Sequence, residues 1–525
     1  MKKFYLLTML LCGCMTVAQA QNRGNYAYAL SATVGDTETV FNFKSTGDAS
    51  GSILFTDDAG TDLGKAVTVA SVKKGDNTVP VSNADLPAGK INWKVQINNT
   101  PVSEATLIKS LSFPYASGCA IDMIPTSPYF GQLYVCNSAP ADQRGFFKVD
   151  QDLNTINETA IGNNIFVNGY NTYSPKRMDM FPDGSVVACD FYDGTSGLYM
   201  LNPANDEITQ MLGGTKDASG AYTSNSVVIG GSPTGVGIVK DGDFTYIYSF
   251  MEDYPAANGY TLVCYILREG ERTITMRPYY DFRSQGLHAD IPNGGLLGNT
   301  NVEVRAGSNG FWAAQVRNTG QNTPDVPAFI YCNTYGNVLY SAADDAATIT
   351  GCDGAIAINH EENILAVAFA DHVVHVYNLN WDDSGVPSLG SEICTIPTNF
   401  NVGQMTFDIA NNLYIAAQET LLAYAIPNEK TKVETPAATA IENNSSVAQV
   451  AVATTKVYPS PAVNAVNIET AEEISAISVY NVAGAMVATN NDIEGNRAVI
   501  DVESLASGIY FVRINNTETV RFIKK

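Results

Sequence analysis

FPDGSVVACDFYDGTSGLYMLN, residues 181–202, reads as a turn, a strand, a second turn and a second strand. Pro182-Asp183-Gly184 supplies the first turn, and residues 194–197 supply the second. Ser185 to Phe191 is rich in β-branched and small apolar residues, and Leu198 to Leu201 follows in the same style. Weaker copies of this hairpin recur from about Phe113 to Pro427. Their opening strands contain Cys119, Met178 to Met180, Gly235 to Ile238, Val302 to Val304, Ala355 to Ile358 and Met405 to Asp408.

A repeat of roughly 40–60 residues with about four strands predicts a β-propeller. Through the DG-x-LYVA hairpin the repeats resemble the loosely patterned blades of NHL and related propellers, and they lack the Trp-Asp dipeptide of WD40 blades. The sixth repeat shows three strands before Pro427, and the unassigned run Ala105 to Ser112 is placed to supply its fourth. Such a join closes the ring and leaves no free sheet edge. Six blades are expected over residues 105–427, with seven as the alternative.

Residues 21–104 read as a small β-sandwich of strand-like runs between Gly- and Asp-rich turns. The stretch from Leu86-Pro87-Ala88-Gly89 into the alternating Ile91 to Ile97 resembles the end of Ig-like domains. Ahead of it, residues 1–20 form a secretory signal: Lys2 and Lys3, an apolar core from Phe4 to Val17, and a small-x-small cleavage site at Ala18 and Ala20. A rival reading makes Cys14 a lipidated residue. Residues 428–455, rich in Thr, Ala, Asn and Glu without periodicity, read as a flexible linker.

Residues 456–525 combine Val457-Tyr458-Pro459-Ser460-Pro461, Ile477 to Gly484, Ile500 to Ile514 with its Leu-Ala-Ser-Gly-Ile-Tyr core, and a basic end at Lys524 and Lys525. In this order they resemble the type A C-terminal sorting domain of cargo carried by the type IX secretion system of Bacteroidetes. Pro459, Pro461, Gly484, Gly508, Tyr510, Lys524 and Lys525 carry the resemblance, and Ser460 departs from it, because the family usually has Asn there. The resemblance implies a second Ig-like sandwich, the type IX machinery as partner, and a cargo that is released or attached to the outer cell surface. The fold class expected for the whole chain is therefore all-β.

Composition narrows the function. The chain has 53 acidic against 30 basic residues, a net charge of −23, which disfavours nucleic acid and anionic membrane. No later segment is apolar for long enough to cross a membrane as a helix. Cleavage after Ala20 removes Cys12 and Cys14; most of the seven that remain lie in apolar strand patterns, as buried free thiols do. Cys119–Cys136 and Cys332–Cys352 stay open as disulfides, with mostly free thiols expected.

Chemistry is sparse. His372 and His375 make a poor ligand pair, because strand side chains three apart point to opposite faces. His360 falls in a turn. No HExxH, GxSxG or P-loop pattern occurs, and a Ser-His-Asp triad stays open because its members need not be near in sequence.

Aligning the opening strands puts Asp122, Asp179, Gly237, Glu303, Ala357 and Thr406 in one column, facing a central channel. The next column is apolar throughout (Met123, Met180, Ile238, Val304, Ile358 and Phe407) and is expected to pack between blades. Asp122, Asp179 and Glu303 are either the wall of a wet channel or the ligands of a hard cation such as Ca²⁺. Lys176, Arg177 and Arg305 are near enough in sequence to pair with them. Tyr170, Tyr173, Tyr192, Tyr254, Tyr279 and Tyr280 fall in loops or at strand ends, where a ring can stack on a sugar. The function expected is a non-enzymatic glycan- or protein-binding propeller, with a polysaccharide- or peptide-degrading enzyme using propeller-face carboxylates as the alternative.

Overall fold

The turn chemistry read from residues 181–185 recurs and is local. In the computed structural model Ser185 N–H donates to Asp183 Oδ1 at 2.9 Å, and Gly184 takes a φ of 87°, a value that suits glycine. Asp408 caps its turn in the same way, accepting from the N–H groups of Ala410 and Asn412 at 2.9 Å each. Asn359 accepts from Asn363 and Ile364 at 2.9 Å each. The structure describes residues 23–169, 174–192, 196–212, 231–251, 261–287, 301–443, 455–470, 473–490, 493–515 and 518–525.

Each turn joins an inner strand to the next strand of an antiparallel meander. Blade 2 is Met178–Met180, Val186–Asp190, Gly197–Asn202 and Glu207–Leu212. Blade 3 opens with Pro233–Asp241, blade 4 with Val302–Gly307 and blade 5 with Ile356–Ile358, each followed by three more strands in sequence order. Blades 6 and 1 are joined. Asn412–Ala425 pairs with Gln404–Phe407 through its first half and with Thr106–Ile121 through its second, Leu421 opposite Leu111. The far half of Thr106–Ile121 then pairs with Leu133–Asn137 as the inner strand of blade 1. The run at 105–112 thus closes the ring, as the third strand of blade 6 rather than the expected fourth, because residues 412–416 and 421–424 belong to one continuous strand.

Six apolar cores confirm the count, one per junction. Tyr134 and Phe146 of blade 1 pack on Val186 and Tyr199 of blade 2; Met200 of blade 2 packs with Ile247 of blade 3. Tyr248 meets Phe311 between blades 3 and 4, and Trp312 and Phe329 meet Ile356 and Leu365 between blades 4 and 5. Val374 and Ile396 meet Met405 and Ile415 between 5 and 6. Tyr414 and Leu421 of blade 6 return to Val135 and Phe147 of blade 1. Blades 3 and 4 approach closely, since a Cβ on Gly237 would lie 2.6 Å from the Ala306 nitrogen. Six neighbouring inner strands therefore surround one axis, as a six-bladed propeller requires.

The N-terminal region forms two sheets over a core of Phe41, Ile53, Phe55 and Trp93, with Trp93 and Phe41 ring centroids 4.9 Å apart. The linker expected over residues 428–455 does not start at Asn428. Lys432–Pro436 adds to this sandwich as a strand beside Gly89–Asn98, Val433 opposite Ile97, and Trp93 Nε1 donates to Thr439 O at 3.1 Å. Its polar, Thr- and Glu-rich composition suits an edge strand buried on one face, which is why no apolar run announced it. The chain leaves the sandwich and returns side by side, with Val102 bridged to Asn428 and Asn99 N–H donating to Thr431 O at 2.7 Å. Residues 444–454 and the signal at 1–20 lie outside the described residues.

The C-terminal unit is a two-sheet sandwich of its own. One sheet has the order Lys456–Tyr458, Ala465–Glu469, Arg497–Asp501 and Ile493–Glu494; the other is Met486–Asn490, Ile477–Asn481, Gly508–Ile514 and Glu518–Lys524. Val466, Ile500, Val479, Val512 and Phe522 fill the space between. Among the described residues no helix is long and apolar enough to cross a membrane.

Candidate functional site

The inner strands all run the same way along the propeller axis, so the two ends of the channel are chemically different. At the end where they begin lies a small cavity of about 180 Å³ lined by Ser117, Lys176, Asn301, Asp353 and Gly403. At the end where they finish, all six blades line a cavity of about 690 Å³. Its wall includes Ile121, Met180, Ile238, Ala306, Ile358 and Phe407. The apolar column expected between blades therefore faces this cavity at Met123, Met180, Ile238, Ile358 and Phe407, and only Val304 packs wholly in an inter-blade core.

Between the cavities the channel is filled by polar side chains that grip neighbouring inner strands. Arg177 is fully buried. Its Nε donates to Gly403 O at 3.0 Å, and its other nitrogens donate to Thr234 O at 3.0 Å, Asn301 Oδ1 at 2.8 Å and Gly354 O at 2.8 Å. One guanidinium of blade 2 thus ties the segments leading into blades 3, 4, 5 and 6, using the planar fork that suits it to several acceptors at once. Gln404 of blade 6 does the same for blades 1 and 2. Arg305 of blade 4 donates to Ile356 O at 3.4 Å and to Met405 O.

The three carboxylates of the column go to separate places. Asp122 is held in its own turn by the Ser127 hydroxyl and by Ile124 N–H at 2.9 Å. Asp179 accepts from Met180 N–H and, across the blade boundary, from Ile238 N–H, both at 2.8 Å. Glu303 accepts from Ile356 N–H at 2.8 Å, and Arg305 Nε lies 2.8 Å from its other oxygen as an ion pair. Burial pushes the carboxyls of Asp179 and Glu303 up, against the opposing pull of Arg305 on both and of Arg177 on Glu303. Among the described residues no group of three His, Cys, Asp or Glu is placed to hold a metal ion. These acids act on backbone N–H groups rather than converging on one point.

Other candidate residues are scattered. His375 lies 2.8 Å from Glu392 on the outside of blade 5, and His372, in the turn before that strand, sits 3.8 Å from Asp353. His360 lines the larger cavity beside Glu362, whose carboxylate is held by Ser308 N–H at 2.7 Å. All seven described cysteines are free, and burial raises their thiols. Tyr170, Tyr173, Tyr254 and His288 lie outside the described residues. Tyr279 and Tyr280 come together on the rim of blade 3. The residues that sequence reading passed over are Gln404 and Asn301. Gln404 stands two places before Thr406 of the column, and Arg177 two places before Asp179, so inward facing at i and i−2 was the available signal.

In the C-terminal sandwich the sorting residues are structural neighbours. Tyr510 stacks on Phe522 with centroids 5.7 Å apart, and its hydroxyl donates to Ala506 O at 2.9 Å. Gly484 takes a φ of 78° in the turn capped by Asn481. Gly508 pairs with Lys524, and the segment holding Pro459 and Pro461 lies against the last strand: Ser460 Oγ accepts from Ile523 N–H at 3.1 Å, and Lys525 N–H donates to Ala462 O at 2.9 Å. Ser460 thus provides a side-chain oxygen at the position where the resemblance led us to expect Asn.

Residues 456–525 match the family described as the secretion system C-terminal sorting domain. No curated protein matches the chain. Among solved structures the chain is similar to a protein of unknown function from Bacteroides thetaiotaomicron, at a TM-score of 0.38 and 11% identity over 76% of this chain and 98% of that one. It is also similar to a streptogramin B lyase, at 0.36 and 12% over 61% and 97%, and to the WD40 repeats of RRP9, at 0.38 and 8% over 63% and 99%. With alignments this loose, the propeller rests on the strand order and the closed ring of cores described above. The chain carries a type IX sorting domain behind a β-propeller and is an exported cargo, secreted or held at the cell surface.

Proposed function

We propose that the propeller is a non-catalytic binding module and that its ligand, an apolar side chain presented by a protein segment, enters the larger axial cavity. The observation that carries this reading is the cavity itself: about 690 Å³, drawn from all six blades, with a wall of Ile, Met, Val, Phe, Pro and Ala interrupted by polar groups such as Asp179, Arg305, His360 and Glu362. That is the size and chemistry of a small specific pocket. A glycosidase would set two carboxyls roughly 5–10 Å apart in an open cleft; here Asp179 and Glu303 are bonded to backbone N–H groups in the channel wall. On this reading the N-terminal segment ending at Ala20 starts export, the C-terminal domain completes it, and the propeller meets its partner outside the cell.

The test is selection of displayed peptides on the full chain, repeated on Thr406→Trp. Thr406 is partly exposed on the cavity wall, so an indole there fills the mouth. Peptides with one apolar anchor that bind the natural chain and are lost in Thr406→Trp, at an unchanged melting temperature, support the reading. Binding that ignores the substitution places the ligand elsewhere.

A further inference from the structure

The rim between blades 3 and 4 carries a tyrosine cluster that the axial cavity does not use. Tyr279 and Tyr280 lie at the start of the outermost strand of blade 3, and Tyr335 lies in the turn between Phe329–Asn333 and Val338–Ser341 of blade 4. The rings of Tyr279 and Tyr280 have centroids 4.8 Å apart, and those of Tyr280 and Tyr335 are 6.4 Å apart, both nearly perpendicular at 84°. Tyr279 is 70% exposed and Tyr335 62%. The cluster is built, not incidental. Tyr280 stacks on Phe282 at 5.8 Å and 17°, and Phe282 is anchored on Phe311 at 5.4 Å in the inter-blade core. Gly336, at a φ of 80°, lets the Tyr335 turn lie on Phe282, since a Cβ there would come within 2.2 Å of that ring. From Tyr279 a groove of about 540 Å³ runs along Tyr265 to Leu267, with Glu271, Thr273, Thr275 and Arg277 on its wall.

We propose that Tyr279, Tyr280 and Tyr335, with the adjoining groove, bind a neutral polysaccharide chain. Exposed tyrosine rings offer flat apolar faces to the C–H faces of a sugar, and each carries a hydroxyl for the sugar's own. Two torsions per side chain make the ordering cost small. Hydroxyl and charged groups along the groove supply the hydrogen bonds that an extended row of sugar hydroxyls needs, and that a purely apolar partner would leave unmet. The perpendicular rings make stepped faces rather than one flat patch, which suits successive sugar rings better than a flat protein surface. The net charge of −23 disfavours polyanionic glycans, and of the two arginines on the groove wall Arg272 is already paired with Asp183, so the ligand is taken as neutral. An exported chain meets such polymers where it works. The site stands apart from the axial cavity and does not depend on a ligand there.

Native electrophoresis of the full chain through gels containing β-glucan, galactomannan, xylan, soluble starch or α-mannan tests it. At least one of these polymers should retard the natural chain, and the double variant Tyr279→Ala/Tyr335→Ala should need roughly tenfold more polymer, or beyond, for the same retardation. Both side chains are exposed, so the thermal melt of that variant should be unchanged. Tyr279→Trp should keep the retardation, because an indole stacks at least as well, and Thr406→Trp should not alter it. Free migration in all five gels, retention undiminished in the double variant, or retardation only by an anionic polymer such as alginate would each overturn the proposal.

Discussion

Gln404 and Met178, 226 residues apart, are joined in both directions: Met178 N–H donates to Gln404 Oε1 at 3.1 Å, and Gln404 Nε2 donates to Met178 O at 2.9 Å. The same Oε1 accepts from Cys119 N–H at 3.0 Å. One side chain of blade 6 therefore does for the inner strands of blades 1 and 2 what a ladder bond does inside a sheet. Gln404→Ala strands two N–H groups and one carbonyl in the buried channel, which should cost about 2–4 kcal/mol. A lower urea midpoint with an unchanged slope is the expected result; an unchanged midpoint would show that the ring is held by its apolar cores alone.

Arg177 performs the matching task for blades 3 to 6. Its four acceptors come from segments as far apart as Thr234 and Gly403. Arg177→Met keeps the apolar stem but leaves those acceptors buried and unmet, so a loss of about 3 kcal/mol or more is expected. Arg177→Lys should recover little, because an ammonium cannot reach four acceptors spread around a planar fork. Equal stability of the Lys variant and the natural chain in guanidinium melts would refute the hub.

The blades were legible because a propeller is local in sequence: Asp183, Asn359 and Asp408 cap turns within five residues of themselves, and strand alternation follows. Closure by the 105–112 run was legible because the sixth repeat lacked a strand. The channel was not. Arg177, Gln404, Glu303 and Arg305 take their meaning from strands that sequence separates by 50 to more than 200 residues, so the aligned carboxylates read as either a wet channel wall or cation ligands, and the N–H partner that each one holds was not visible. Lys432–Pro436 escaped for the opposite reason: an edge strand completing a distant sheet shows little periodicity of its own. Of the tyrosine platform, Tyr279 and Tyr280 were visible in sequence, whereas Tyr335 joins them only through the packing of blade 4 on blade 3.

Asp353 gives the fold a pH signature. Burial is the main cause that pushes its carboxyl from 3.8 up to about 6, outweighing Val402 N–H and His372, which pull it down. The folded state therefore favours the protonated form. This contribution is whole below about pH 4, where the unfolded chain also holds the proton, and is lost as pH rises through about 6. Asp353→Asn keeps an oxygen for Val402 N–H without the charge. It should flatten the stability profile between about pH 4 and 6 and exceed the natural chain above pH 6, by at most about 3 kcal/mol for a two-unit displacement. Denaturant melts across that range decide the matter; parallel profiles for the two chains would mean that Asp353 is ionised at no cost.

The C-terminal sandwich links stability to export through Tyr510. Its ring lies on Phe522 of the last strand, and its hydroxyl holds Ala506 O ahead of Gly508. Tyr510→Ala removes both and opens a cavity under the strand that ends in Lys524 and Lys525, a loss of about 3 kcal/mol or more. If the secretion machinery reads a folded sandwich, this variant should accumulate inside the outer membrane while the natural chain reaches the surface or the medium. Ser460→Asn should export normally, because an amide oxygen can accept the Ile523 N–H that Ser460 Oγ now takes. Fractionation followed by immunoblotting reads both variants at once. Normal export of Tyr510→Ala, with its sandwich shown to be unfolded by hydrogen exchange, would mean that the machinery reads a linear segment rather than a fold.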